Sequence, residues 1–366
     1  MQTRDYQQEY QKDMGTAGTL TFPLDFVDPV TEICLRFAAT NGTDGNKSNP
    51  IDRNISRIEL VDGGEVLFSV PGDVALGAVS HFKNALPHCY RTGAAGDAPY
   101  QVIPLQFGRY PYDPVYAFNP SAHRNPQLKV TFDEATVRAA GATGFVSDSL
   151  TLDVNVRLME NAPAPVGFLS LREIETFTSL ASGERVVHIP SDRVIRALVN
   201  RVYESGTDMR SNINRYKLTA DGGKRIPFDL RVSTMIDFMA EAFKPILVPE
   251  YTVNDDGDTQ QTWVAVDLEA FIRGHSGGSI VTAASSWPSQ MVVATRLHDG
   301  SAYNAAAIHF GVIGWGVNGC LIYPFGRLDE PEDWFNPQGL GTLNLVLTQG
   351  DADAEVNVCI QQVYPY

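Results

Sequence analysis

The sequence predicts an all-β chain built as two consecutive antiparallel sandwiches. Three observations carry this. Apolar residues alternate with polar ones over many short stretches, helical periodicity is confined to a few segments, and the two halves repeat one order of elements.

The alternation begins at "TLTFPLDF", where Leu20, Phe22, Leu24 and Phe26 point one way. In "EICLRF" the residues are Ile33, Leu35 and Phe37. In "QLKVTF" they are Leu128, Val130 and Phe132, with Gln127, Lys129 and Thr131 opposite. "TLDVNVRL" sets Leu152, Val154, Val156 and Leu158 against Asp153, Asn155 and Arg157. A period of two describes a strand with one face on a core and one in water, which suits antiparallel sheets.

Three segments read as helices. "DVALGAVSHF" has Asp73 as N-cap and Leu76, Val79 and Phe82 on one face. "STMIDFMAEAFKP" has Ser233 as cap, Ile236, Met239 and Phe243 on one face, and Pro245 as a stop. "SLREIETF" places Ser170 and Glu173 at capping-box spacing. No strand–helix alternation runs through the chain, which argues against a doubly wound fold.

"ENAPAPVG" (160–167) follows a clean strand with two prolines and a glycine and marks the boundary between halves. "SRIELVDGGEVLFSV" in the first half corresponds to "NRYKLTADGGKRIPFDL" in the second, and a helix follows each. The Asp-Gly-Gly turn is a hairpin signal, because tight turns need positive φ. "AFNPSAHRNPQLKVTF" then corresponds to "WFNPQGLGTLNLVL", and "TLDVNVRL" to "AEVNVCIQ". "DADAE" (351–355) is the turn before the last strand. The second half holds about 58 extra residues within 245–330, a length that belongs on a loop at one end of a sandwich.

The predicted organisation is an N-terminal arm over 1–17, a first sandwich over 18–162 and a connector with a helix over 163–182. A second sandwich over 183–366 carries the insertion at about 245–330. The charged, glutamine-rich arm reads either as disordered or as a segment that orders on binding.

The chain has 366 residues, 43% of them hydrophobic, and its net charge is −15 with a pI near 4.8. So acidic a chain offers no broad attraction to nucleic-acid phosphates. Cys34, Cys89, Cys320 and Cys359 are dispersed, without C-x-x-C spacing, and read as reduced, mostly buried thiols made in a reducing cytosol. The N-terminus lacks the apolar core of a signal peptide, and no run of apolar residues is long enough to span a membrane.

The duplicated halves resemble the double jelly-roll major capsid proteins of tailless, membrane-containing icosahedral viruses, most closely those of corticovirus-like and finnlakevirus-like phages. The residues that carry the likeness are "ICLRF…ISRIELVDGGEVL", "IRALVNRVYESG…INRYKLTADGG" and the connector "APVGFLSLREIETFTSLASGERVVHIP", across most of 18–366. The resemblance implies two consecutive jelly-roll β-sandwiches with a few short helices. It implies a homotrimer in which six similar walls form a pseudo-hexagonal capsomer of an icosahedral shell. Neighbouring capsomers, penton and minor capsid proteins and an internal membrane would be the partners, without direct nucleic-acid contact. The place would be the virion, after assembly in the host cytoplasm.

Other motifs suggest other chemistry. "GHSGGS" (274–279) fits G-x-S-x-G and resembles the Gly-Asp-Ser-Gly-Gly run of chymotrypsin-like proteases, and "GVIGWGVNGC" (311–320) resembles a second stretch of theirs. The alternative function is therefore a serine hydrolase with Ser276 as nucleophile. It needs a histidine and an aspartate earlier in the chain, and the upstream histidines are His81, His88, His123 and His188. His81 and His88 flank a helix end, and the last residues repeat the first half's strands. His275, His298 and His309 share no metal-ligand spacing, so no zinc site is expected. Asn254, Asp256 and Asp258 alternate as calcium ligands do, but the glycine falls at the fourth position and no glutamate sits at the twelfth, so a solvated acidic turn is the expectation and no cofactor is assigned. A further alternative is a glycan-binding β-sandwich, in which Trp263 and Trp287 of the insertion stack on sugar rings, a contact that would also suit a host-surface glycan bound by a capsid projection.

Overall fold

The computed structural model describes residues 2–43, 46, 50–134, 144–204, 207–254, 259–262, 264–276, 280–287, 290–297 and 306–366, with the side chains of 250–310 outside the description. The first half runs β1 (Gln2–Asp13), β2 (Ala17–Pro23), β3 (Val30–Ala38), β4 (Arg57–Asp62), β5 (Glu65–Val70), α1 (Gly72–Phe82), β6 (Cys89–Tyr90), β7 (Tyr100–Gln106), β8 (Pro126–Asp133) and β9 (Thr151–Glu160). The second begins β10 (Gly167–Thr178), β11 (Gly183–His188), β12 (Ile195–Tyr203), α2 (Met209–Asn212), β13 (Ile213–Ala220), β14 (Arg225–Arg231) and α3 (Val232–Ala242). Six strands follow: β15 (Ile246–Asn254), β16 (Thr259–Thr262), β17 (Val264–Ser276), β18 (Ile280–Trp287), β19 (Gln290–Leu297) and β20 (Ala306–Val317). The chain closes with β21 (Cys320–Pro324), β22 (Leu343–Gln349) and β23 (Glu355–Pro365).

The sheets show why the halves repeat. In the first half the orders are β1-β9-β3-β7-β6 and β2-β8-β4-β5. In the second they are β10-β23-β12-β21 and β11-β22-β13-β14. Apart from the two-residue edge strand β6, this is one topology twice, two facing sheets of four strands closed as a jelly roll. The alternating stretches bury the faces expected of them. Ile33, Leu35, Phe37, Leu128, Val130, Leu152, Val154, Val156 and Leu158 have no exposed surface. Both Asp-Gly-Gly stretches turn hairpins, β4 to β5 and β13 to β14.

Three expectations fail at the local level. Residues 1–17, expected as an arm, contain β1, which pairs antiparallel along β9 from Gln2 with Glu160 to Asp13 with Thr151. Its hydrophobic alternation is missing because β1 is an edge strand, exposed along nearly its whole length. "SLREIETF" is no helix: it is the middle of β10, paired with β23. Its capping-box spacing lost to strand pairing that buries Phe168, Leu169 and Leu171. The helices α1 and α3 form, but their N-caps are Pro71 and Arg231, both extended and without a side-chain cap bond. Asp73 and Ser233 lie two residues past these caps, in the first turn.

The rolls join through their sheets. Strands β2-β8-β4-β5 continue into β10-β23-β12-β21, so eight strands form one surface, and β5 meets β10 in parallel at Ser69 and Arg172. Every residue of β12 is buried, because the second core covers one face and the first roll the other. Strands β15 to β20 form two three-stranded sheets, β15-β20-β17 and β16-β19-β18, between α3 and β21. No helix among the described residues is long and apolar enough to cross a membrane.

Candidate functional site

The densest polar cluster lies at the joint between rolls. Its centre is Arg201 on β12, 1% exposed, a position where an uncompensated charge is costly. The guanidinium is fully engaged. Its Nη2 lies 2.8 Å from Asp73 Oδ2, and its Nη1 lies 3.0 Å from both Glu355 Oε2 and Asn357 Oδ1. Its Nε donates to the Asn318 carbonyl at 3.1 Å. Burial alone would lower the Arg201 pKa, but the carboxylates of Asp73 and Glu355 outweigh it and hold the group charged. Burial also opposes the Glu355 carboxylate, and Arg201 more than compensates, holding it below its ordinary range.

Asp73 comes from the first turn of α1 in the first roll, and Arg201, Glu355 and Asn357 come from the second. Asn318 completes the bridge. Its amide donates to Asp52 Oδ2 at 2.8 Å and to the Asp73 carbonyl at 3.0 Å. Asn318 sits in the β20–β21 turn at φ +58°, where its short polar side chain tolerates the left-handed region. Gly319 beside it has φ +78°, and a Cβ there would lie 2.4 Å from the Val202 carbonyl oxygen. Gly316 and Gly319 of "GVIGWGVNGC" therefore serve a turn that approaches β12 closely, while Gly311 and Gly314 are residues of β20 paired with β15.

His81 adds a second clasp from the same helix. It is wholly buried, and its Nε2 accepts from the Gly316 amide at 3.0 Å and the Val317 amide at 3.3 Å. Burial pushes its pKa down to about 4, so the ring is neutral and able to accept. Phe243 packs edge-on against it at 5.8 Å, and Trp315 Nε1 donates to the Phe243 carbonyl at 3.0 Å. Arg196 on β12 reaches the same helix, stacking over Phe82 at 5.0 Å while donating to Gln361 Oε1 at 2.7 Å. A cleft of about 240 Å³ opens beside the joint, lined by Arg53, Arg57, Asp73, Glu173, Glu355 and Asn357.

The chain is similar in structure to three capsid proteins along its whole length. The major capsid protein P2 from bacteriophage PM2 matches at 11% identity and TM-score 0.54, over 99% of this chain and 98% of that one. The major capsid protein of Sulfolobus Turreted Icosahedral Virus matches at 10% and 0.59, over 100% and 98%. PBCV-1 VP54 matches at 10% and 0.60, over 99% and 93%. The fold is the double jelly roll of viral major capsid proteins. No protein-family model and no curated protein matches the chain.

The double jelly roll accounts for most residues singled out in the sequence. Ser276 is the last residue of β17 and pairs with Ala307 of β20, while Gly277, Gly278 and Ser279 lie outside the described residues. The upstream histidines are occupied elsewhere: His81 in α1, His88 against Tyr100 at 3.2 Å, His123 with Asp62 at 3.4 Å, and His188 with Asn344 at 2.6 Å. Two jelly rolls are also not the pair of barrels on which a chymotrypsin-like triad is built. Asn254 ends β15, Asp256, Asp258 and Trp263 lie outside the described residues, and Trp287 ends β18. No group of three His, Cys, Asp or Glu suited to a metal occurs among the described residues. None of the four cysteines is in a disulfide, and Cys320 and Cys359 are buried. Arg201, Asn318, Asp52 and His81 escaped sequence reading as a cluster because they meet only when the rolls join.

Proposed function

We propose that this chain is a major capsid protein whose homotrimers are the pseudo-hexagonal capsomers of an icosahedral virion shell. The observation that carries the reading is the duplication in space: two rolls that share one strand order apart from the short β6, joined side by side through one continuous sheet and a buried polar joint. Three copies present six similar walls, which suits a position of local sixfold symmetry. The chain acts by packing and association rather than by bond breaking. Capsomers contact one another, penton and minor capsid proteins, and an internal membrane beneath the shell. The acidic balance of −15 agrees with a coat that does not grip the genome directly. Assembly takes place in the host cytoplasm and the protein resides in the virion. The β15–β20 strands, rooted beside α1, supply the solvent-facing projection.

Light scattering and negative-stain imaging of the purified protein test this. The expected result is a trimer with a hexagonal outline. A stable monomer that never assembles would overturn the reading.

A further inference from the structure

The joint inside one chain also describes a joint between chains. Within the chain, β5 of the first roll meets β10 of the second at Ser69 and Arg172. Arg57 links the two elements: its Nη1 donates to Ser69 Oγ at 3.0 Å, and its Nη2 lies 3.4 Å from Glu173 Oε2. Glu173 is only 7% exposed there. Ser170 Oγ also donates to the Leu67 carbonyl.

The duplication supplies the counterparts. In the β4–β5 hairpin Leu60 faces Phe68 and Ile58 faces Val70. In the β13–β14 hairpin Leu218 faces Phe228 and Tyr216 faces Leu230. Arg215 therefore occupies the place of Arg57, and Asp229 the place of Ser69. Arg215 Nε donates to Asp229 Oδ1 at 2.5 Å, the same bond across the same hairpin. On the other side, Asn155 and Asn357 anchor the two Val-Asn-Val strands, pairing with Gln7 and Thr176. From there Asp5 pairs with Arg157 as Glu173 pairs with Cys359, and Arg4 with Leu158 as Arg172 with Ile360. Arg4 and Asp5 thus hold the places of Arg172 and Glu173.

These counterparts lie on free edges. β1 ends one sheet and β14 ends another. Pro227 within β14 suits such an edge, since it has no amide to donate. Arg215 is 52% exposed, Arg4 50% and Asp5 70%. Their present partners are Asp28 and Glu160 for Arg4 and Arg157 for Asp5, exposed pairs that exchange at little cost. Arg225 and Arg231 flank the β14 edge and leave it basic within an acidic chain.

We propose that β1 of one copy docks beside β14 of the next, with Asp5 meeting Arg215 and Arg4 meeting Asp229 across the subunit boundary. The contact is heterologous, and its repetition closes a ring when the rotation between copies is a whole fraction of a turn. The proposal rests on the trimeric reading above, in which closure comes at three copies and six rolls.

Charge reversal tests it. Arg215→Glu or Asp5→Arg alone should raise the trimer dissociation constant about tenfold or more, and the two together should recover most of the loss. Independently, Arg4→Cys with Asp229→Cys should give dimers and trimers on non-reducing gels. A wild-type trimer unmoved by both single reversals, with no cross-link, would refute this docking and leave the capsid reading intact. A wild-type protein that remains monomeric would refute both.

Discussion

The His81 clasp predicts an acid-sensitive joint. The folded state holds this ring neutral, with its pKa pushed down to about 4 from an ordinary 6.5, because it is buried and accepts two amides. The unfolded chain therefore binds more protons between these two values. The clasp contributes its full stability above the unfolded pKa and loses it as pH falls toward the folded one. The whole window is worth about 3 kcal/mol, and the part between about pH 7.5 and pH 5 about 2 kcal/mol. His81→Gln keeps a carbonyl that can accept from Gly316 and Val317 but has no proton to gain. Urea unfolding at the two pH values should show wild type losing about 2 kcal/mol more than the variant. All other ionisable groups are common to both proteins, so the difference isolates His81. Amide exchange at Gly316 and Val317 should accelerate on acidification in wild type alone. Equal pH slopes in the two proteins would refute the reasoning.

The other predictions concern the same joint and the discarded nucleophile. Arg201→Met strands the Asp73 carboxylate in the interior and should cost about 3–5 kcal/mol by urea unfolding, with Arg201→Lys recovering part. A loss below about 1 kcal/mol would mean that the cluster is not holding the rolls together. Gly319→Ala forces a Cβ toward the Val202 carbonyl at positive φ and should lower the melting temperature by several degrees, about 2 kcal/mol or more. An unchanged melting curve would show that the turn relaxes freely. A fluorophosphonate probe should leave Ser276 unmodified, whereas labelling abolished by Ser276→Ala would restore the hydrolase reading.

What the sequence made legible was whatever depends on one face meeting a core. Leu152, Val154, Val156 and Leu158 alternate because β9 has a core on one side only. The Asp-Gly-Gly hairpins and both helices after them were likewise local signals. β1 was illegible because an edge strand exposed on both faces needs no apolar pattern. β10 was misread for the opposite reason: buried on both faces at its start, it loses the period of two, and a chance Ser-x-x-Glu spacing filled the gap. The joint could not be read at all. Asp52, Asp73, Arg201 and Asn318 are ordinary polar residues in the sequence, and only the docking of two rolls makes them a network.

The two copies of the helix after the hairpin now differ in a way that needs explaining. α1 buries every residue from Gly72 to His81, polar ones included, because the foot of the β20–β21 turn and β12 cover its outer side. α3 follows its hairpin at the same distance, but only Val232, Met235, Ile236 and Met239 are buried. Ala78 of α1 and Phe238 of α3 hold the same place, and Phe238 is 43% exposed. A helix that repeats α1 in position but lacks its cover has an apolar outer residue where α1 has a small one against protein. In a ring of rolls, the next copy's first roll lies where the second roll lies against α1. It would cover Phe238 as the present joint covers Ala78. In the proposed ring, the exposed outer side of α3 and the free edges of β1 and β14 would have a single cause: the chain contains one joint of a kind that such a ring uses twice per copy.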